Sequence, residues 1–148
     1  LLMSLLFSQK KYTHQIFIIL QSDACFNLLI SQLFFDNNDY YNFLYRVRQA
    51  GITVPIEAGI MPVTNRKQIE RMVSLCGASL PKKFVRIMHR YGDDPAAMQD
   101  AGIAYAVEQI VDLISNGVQG IHLYTMNNPL IAHRINQAVA SLIRCSNR

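Results

Sequence analysis

The feature that most constrains this chain is the spacing of its apolar residues. Three runs of strand length alternate with longer segments of helical periodicity, and Gly, Pro, Asp or Asn marks most changes of rhythm. The first run is Leu28 to Phe35, interrupted by Ser31 and Gln32. Asp36, Asn37 and Asn38 follow as helix caps. Tyr40 or Tyr41, Leu44 and Val47 then recur at helical spacing up to Gly51. Ile52 to Ile60 is the second run, bracketed by Gly51 and by Gly59 with Pro62, and Ile121 to Tyr124 is the third.

Three helices are expected between the second and third strands. Asn65 with Gln68 forms a capping-box pattern, Ile69, Met72, Val73 and Cys76 give the first of them its stripe, and Gly77 ends it. Pro81 opens the next, with Phe84, Ile87, Met88 and Tyr91 inward and Gly92 as its stop. Asp94-Pro95 starts a longer one striped by Ile103, Val107, Ile110 and Ile114, ending at Asn116-Gly117. Asn128-Pro129 begins a last helix with Ile131, Ile135, Ala138 and Leu142 on one face. Residues 1–27 carry no such pattern, and for Ile16 to Leu20 helix and strand are not separable.

This order predicts an α/β fold with a parallel sheet and right-handed crossovers. Three strands are few for a closed sheet, so the fold class expected is the C-terminal portion of a (β/α)8 TIM-type barrel. An open doubly wound sheet is the alternative, but no GxGxxG follows a strand. The charged fraction is only 16% against 51% hydrophobic, which suits strands covered on both faces and excludes a disordered chain.

The remaining totals exclude several functions. The net charge is +4, and its densest groups are Lys82, Lys83, Arg86 and Arg90, and Arg46 with Arg48. The first group reads as one solvated helix face, too small for a nucleic-acid surface. Cys25, Cys76 and Cys145 have no metal-ligand spacing, and an odd, unpatterned set fits a reducing, cytoplasmic compartment. Cys76 is expected to be a small buried residue of its helix face. No apolar stretch approaches the ~20 residues that span a membrane. Leu1 to Phe7 lacks the lead-in of a signal peptide. The first residue is Leu, so a fragment or an incomplete reading frame is expected.

In a barrel, chemistry gathers at the C-terminal strand ends. Gln32 is an amide in an apolar strand, reading either as a ligand contact or as a side chain tied to a neighbouring backbone. Gln68 reads as the closing residue of a capping box, as a pocket residue, or as both. Glu57 is the one carboxylate of the second strand, a general acid or an outward-facing side chain. His122 shares a strand face with Tyr124 and reads more readily as a hydrogen-bonded core residue than as a catalyst. Spacing alone ends at a barrel piece with a polar pocket.

The three strand ends together carry a resemblance. Ile30-Ser31-Gln32-Leu33-Phe34-Phe35-Asp36, then Ala50-Gly51-Ile52-Thr53-Val54-Pro55-Ile56 with Gly59-Ile60-Met61-Pro62-Val63, then Gly120-Ile121-His122-Leu123-Tyr124-Thr125-Met126-Asn127 resemble the last strands of methylenetetrahydrofolate reductases, in order and spacing. The likeness covers about Leu28 to Ile143, so residues 28–148 are assigned to the barrel portion.

The resemblance implies a barrel that binds FAD and reduces 5,10-methylenetetrahydrofolate to 5-methyltetrahydrofolate with NAD(P)H, in one-carbon metabolism and methionine biosynthesis. It also implies a homo-oligomer in the intact family member. Gln32 matches a glutamine that contacts the folate and the nicotinamide in turn. Gln68 matches a second folate-contacting glutamine, and Tyr124 lies in the last-strand motif beside them. The departures are Asn128 where the family commonly has arginine, and Gln21 and Cys25 where it has lysine and glycine around Asp23-Ala24. No residue matches the family's catalytic glutamate, which sits on its first strands. The resemblance therefore implies an incomplete, inactive piece of a folate-linked flavin reductase, or a non-enzymatic remnant that kept its packing. Residues 1–22 are expected to come from a frame change or gene-model error.

Overall fold

The computed structural model describes residues 27–76 and 78–146. Among them are three strands and five helices: β1 (Leu29–Ile30), α1 (Asn37–Gln49), β2 (Ile56–Ile60), α2 (Arg66–Cys76), α3 (Lys82–Tyr91), α4 (Pro95–Ser115), β3 (Ile121–Leu123) and α5 (Pro129–Ser146). The sheet order is β1-β2-β3, both pairs parallel. Strand, helix and strand thus alternate as the spacing predicts, and the arrangement is consistent with part of a barrel. The readings of Ile16 to Leu20 and of the Gln21 to Cys25 stretch lie outside the described residues, as does the side chain of Cys76.

The strands are shorter than their apolar runs, for local reasons. Ser31 N still donates to Glu57 O at 2.9 Å, but the next ladder position is taken by a side chain, Gly59 N donating to Ser31 Oγ at 2.9 Å. β1 therefore ends at Ile30, and 31–36 runs on as extended chain. Ile52 N closes α1 by donating to Val47 O, and Pro55 has no N–H to offer, so β2 begins only at Ile56. Past β3, Tyr124 N continues the pairing by donating to Ile60 O at 2.8 Å.

One face of the sheet is apolar and covered. Leu29, Ile56, Ala58 and Ile60 pack with Ile103, Ala106, Ile110 and Leu113 of α4 and Ile131, Ile135 and Val139 of α5. A second cluster lies past the strand ends, where Leu33, Phe35, Met61 and Val63 meet Ile69, Phe84 and Met98. Phe34 points to the first cluster and its neighbours Leu33 and Phe35 to the second, the alternation of an extended segment. Gly102 of α4 lets the two clusters meet: a Cβ there would stand 1.7 Å from Val63 O.

The caps follow the sequence. Asp36 accepts from Asn38 N, Asp94 from Ala96 N and Ala97 N, and Asn128 from Ile131 N at 3.3 Å. Two stripe assignments are corrected. Tyr91 is 41% exposed because α3 ends there and its last turn faces water. On α5 Val139 is buried and Ala138 exposed, since helical spacing from Ile135 reaches 139 as readily as 138. Lys82, Lys83, Arg86 and Arg90 are all exposed, as expected of a solvated face, with Lys83 paired to Glu108.

Candidate functional site

The sheet face opposite the helices is polar. Glu57 and Gly59 of β2 alternate with the covered residues, and Gly59 is paired in register with His122. Tyr124 lies across Gly59. Its ring edge would be 2.8 Å from a Cβ there, and its hydroxyl donates to Ser31 O at 3.1 Å. His122 packs edge-on to Tyr124 with ring centroids 4.7 Å apart, and its Nδ1 is 3.9 Å from Glu57 Oε2. Glu57 thus faces across the sheet rather than outward to bulk water. Gly120 leaves space for it, since a Cβ at 120 would be 2.8 Å from Glu57 Cγ.

Tyr124 also walls a pocket of about 250 Å³ at the C-terminal strand ends. Its other described lining residues are Pro62, Thr64, Asn65 and Gln68 from the β2–α2 side, and Thr125, Met126, Asn128 and Ile131 from the β3–α5 side. The pocket therefore lies where a barrel builds its sites. Its described lining is uncharged: amides and hydroxyls over apolar side chains, suited to an uncharged heterocycle with donors and acceptors along its edge.

Of the residues singled out in the sequence, Gln68 and Tyr124 are brought together here. Asn65 Oδ1 caps α2 by accepting from Lys67 N at 2.8 Å, and Gln68 lines the pocket. Gln32 is not in this lining. It lies in the extended segment after β1 and is partly exposed, so the expectation of an amide buried within a strand is corrected; the buried polar side chain is its neighbour Ser31. The two are adjacent all the same, since Gln32 O accepts from Ser31 Oγ at 3.1 Å and lies 3.3 Å from a Cβ built on Gly59. Thr64, Thr125 and Met126 lie in the strand-end stretches Glu57 to Asn65 and His122 to Asn128, where sequence reasoning looks for function, but it did not single them out. Asn128 was legible as a cap and is also pocket lining.

A second polar cluster supports the frame. Asp112 of α4 accepts from Asn37 Nδ2 and from the Tyr41 hydroxyl, each at 2.7 Å, and from Asn116 Nδ2 at 3.2 Å. These bonds, led by Asn37, hold its carboxyl below the usual range. Tyr105 donates to Phe35 O at 2.7 Å, and burial pushes its hydroxyl up to about 12. Both interactions fasten the β1–α1 connection to α4.

The sequence profile of the family described as Methylenetetrahydrofolate reductase matches residues 8–140. The chain belongs to the methylenetetrahydrofolate reductase family. The match starts upstream of the first strand motif at Leu28, within residues 1–27. The chain is similar to methylenetetrahydrofolate reductase (NADH) 1 of Arabidopsis thaliana, 34% identical over 105 residues, 71% of this chain and 18% of that protein. It is similar to a probable methylenetetrahydrofolate reductase (NADPH) of Caenorhabditis elegans, 36% identical over 106 residues, 71% of this chain and 16% of that one. Against 5,10-methylenetetrahydrofolate reductase of Escherichia coli K12 the identity is 32% over 113 residues, 76% of this chain and 38% of the relative. The chain thus spans well under half the length of these relatives.

The resemblance implies a bound flavin dinucleotide, and the pocket can be compared with it. For a flavin dinucleotide its volume is below the roughly 300–1,000 Å³ of ligand sites for drug-sized molecules. Its described lining also offers no cation to the two phosphates. The described lining of this pocket thus does not by itself fit a flavin dinucleotide. No helix among the described residues is long and apolar enough to cross a membrane.

Proposed function

We propose that this chain supplies the folate-facing strand ends of a methylenetetrahydrofolate reductase, and that it does not catalyse the reduction alone. The full reaction converts 5,10-methylenetetrahydrofolate to 5-methyltetrahydrofolate with NAD(P)H and FAD, in the cytoplasm and as a homo-oligomer. In that scheme residues 28–148 are the C-terminal part of the barrel. Gln68 reads the pterin edge by donating and accepting at once, Tyr124 walls the pocket, and Gln32, one peptide beyond the Ser31 carbonyl that Tyr124 binds, contacts folate and nicotinamide from the sheet side.

The observation that carries this reading is the convergence of Gln68 and Tyr124 on one uncharged pocket, although 56 positions separate them in the chain. Calorimetric titration of 5-methyltetrahydrofolate into the purified chain tests it. Saturable binding is expected, weakened roughly ten-fold by Gln68→Ala, the loss of one or two hydrogen bonds. NADH and NADPH oxidation with added FAD should stay at background. Turnover, or wild-type affinity in Gln68→Ala, refutes the reading.

A specific observation favours a second reading, the remnant that kept its packing only. Asn128 stands where family members commonly carry arginine, and its side chain is committed to capping α5. Absence of any folate binding by a folded chain would select that reading.

A further inference from the structure

We infer that Met126 is the apolar clamp of the strand-end pocket, laid against the flat face of a heterocyclic ligand whose edge meets the pocket amides. The inference deepens the folate reading above and rests on it.

Three observations converge. Met126 lines the pocket and is nevertheless 59% exposed, so a large apolar side chain stands at the mouth with one flank to water. Its backbone is unusual as well. Met126 and Asn127 are consecutive residues in the left-handed region, with φ of 51° and 60°, and among the described residues no other non-glycine has positive φ. Asn tolerates this conformation through its short polar side chain, but Met has no such aid, and such outliers persist only where the surroundings impose them. Here both flanks are tied down: Tyr124 N donates to Ile60 O at 2.8 Å, and Asn128 N donates to Thr125 O at 3.1 Å while its side chain caps α5. The strained pair therefore holds Met126 at the rim rather than letting the chain run straight from β3 into α5.

The third observation is the division of the walls. The β2–α2 side is mainly polar, with Thr64, Asn65 and Gln68 beside Pro62, while the β3–α5 side adds the apolar surface of Tyr124, Met126 and Ile131 to the polar Thr125 and Asn128. A flat ring with polar edges satisfies both at once, and a thioether adapts to a ring face better than a branched side chain does. Leu130, 56% exposed and in the next turn, is not part of this lining, which singles out Met126.

The test is calorimetric titration of 5-methyltetrahydrofolate into the full chain carrying Met126→Ala or Met126→Leu. The Ala variant should bind about ten-fold more weakly and the Leu variant within about two-fold of wild type, because Leu restores apolar contact. Circular dichroism and the urea midpoint should stay unchanged in both, since the side chain is largely in water. Wild-type affinity in Met126→Ala overturns the clamp and leaves the folate reading standing. No saturable binding by the wild-type chain overturns the folate reading and the clamp with it.

Discussion

Gly102→Ala sets helix propensity against packing, and the structure says which wins. Gly102 sits within α4, where replacing Gly by Ala normally stabilises by about 0.5–1 kcal/mol. The new Cβ, however, would lie 1.7 Å from Val63 O and 2.6 Å from Val63 C. Both are backbone atoms of the segment leaving β2, so no side-chain rotation relieves the clash, and α4 must withdraw from the strand end by well over an ångström. Overpacking of this kind costs about 1–3 kcal/mol, and a backbone obstacle belongs at the upper end. The net expectation is a loss of roughly 2 kcal/mol, or about 1 M in the urea midpoint at an m-value typical of a small protein. Ala104→Gly, an exposed site on the same helix, is the control and should lose only about 0.5–1 kcal/mol. A Gly102→Ala chain as stable as wild type, or more so, would refute the backbone contact between α4 and the pocket-forming segment.

Other consequences follow from single interactions. Tyr124→Phe removes the hydroxyl bond to Ser31 O and should cost about 1 kcal/mol in urea unfolding; an unchanged midpoint would contradict that bond. Ser31→Ala leaves the Gly59 N–H without its partner in a buried position and should cost about 1–3 kcal/mol, more than Tyr124→Phe. Tyr40, Tyr41 and Tyr105 are each raised from 10.0 to about 12, with burial the leading cause. The unfolded chain loses those protons first, so stability is full below pH 10 and falls as pH rises from 10 towards about 12. Spectrophotometric titration should show these phenols ionising near 12 rather than near 10. Asp112 has the opposite sign: its carboxyl is depressed, so its contribution is present above an unfolded value of about 3.9 and disappears as pH falls below it. The stability curves of wild type and Asp112→Ala should therefore converge in acid.

Much of the fold was legible because helix ends announce themselves. Asp36, Asp94 and Asn128 are caps by side-chain type and position, and each accepts the bond its type predicts. Strand limits were less legible, because apolar composition extends past the point where pairing stops. Ser31 replaces a ladder bond with its hydroxyl, an event that depends on Gly59, a residue 28 positions away. The candidate site was half legible for the same reason. Gln68 and Tyr124 were found from motifs, but their meeting in one pocket is set by the packing of β2 and β3. Thr64, Thr125 and Met126 stand in the strand-end stretches, but which side chains there share one pocket is set only when β2 and β3 pair in register. Glu57 and His122 were noted singly, and pairing in register is also what sets them face to face.

The central claim, that the strand-end pocket holds the pterin edge of a folate, is tested most directly by NMR. Side-chain amide and backbone shifts of the labelled chain would be followed while 5-methyltetrahydrofolate is titrated in. The account predicts saturable shifts confined to the Gln32, Asn65 and Gln68 side chains and to the backbone of Thr64 and Tyr124 to Asn128. Saturation with shifts elsewhere, or none at any concentration in a folded chain, would contradict it.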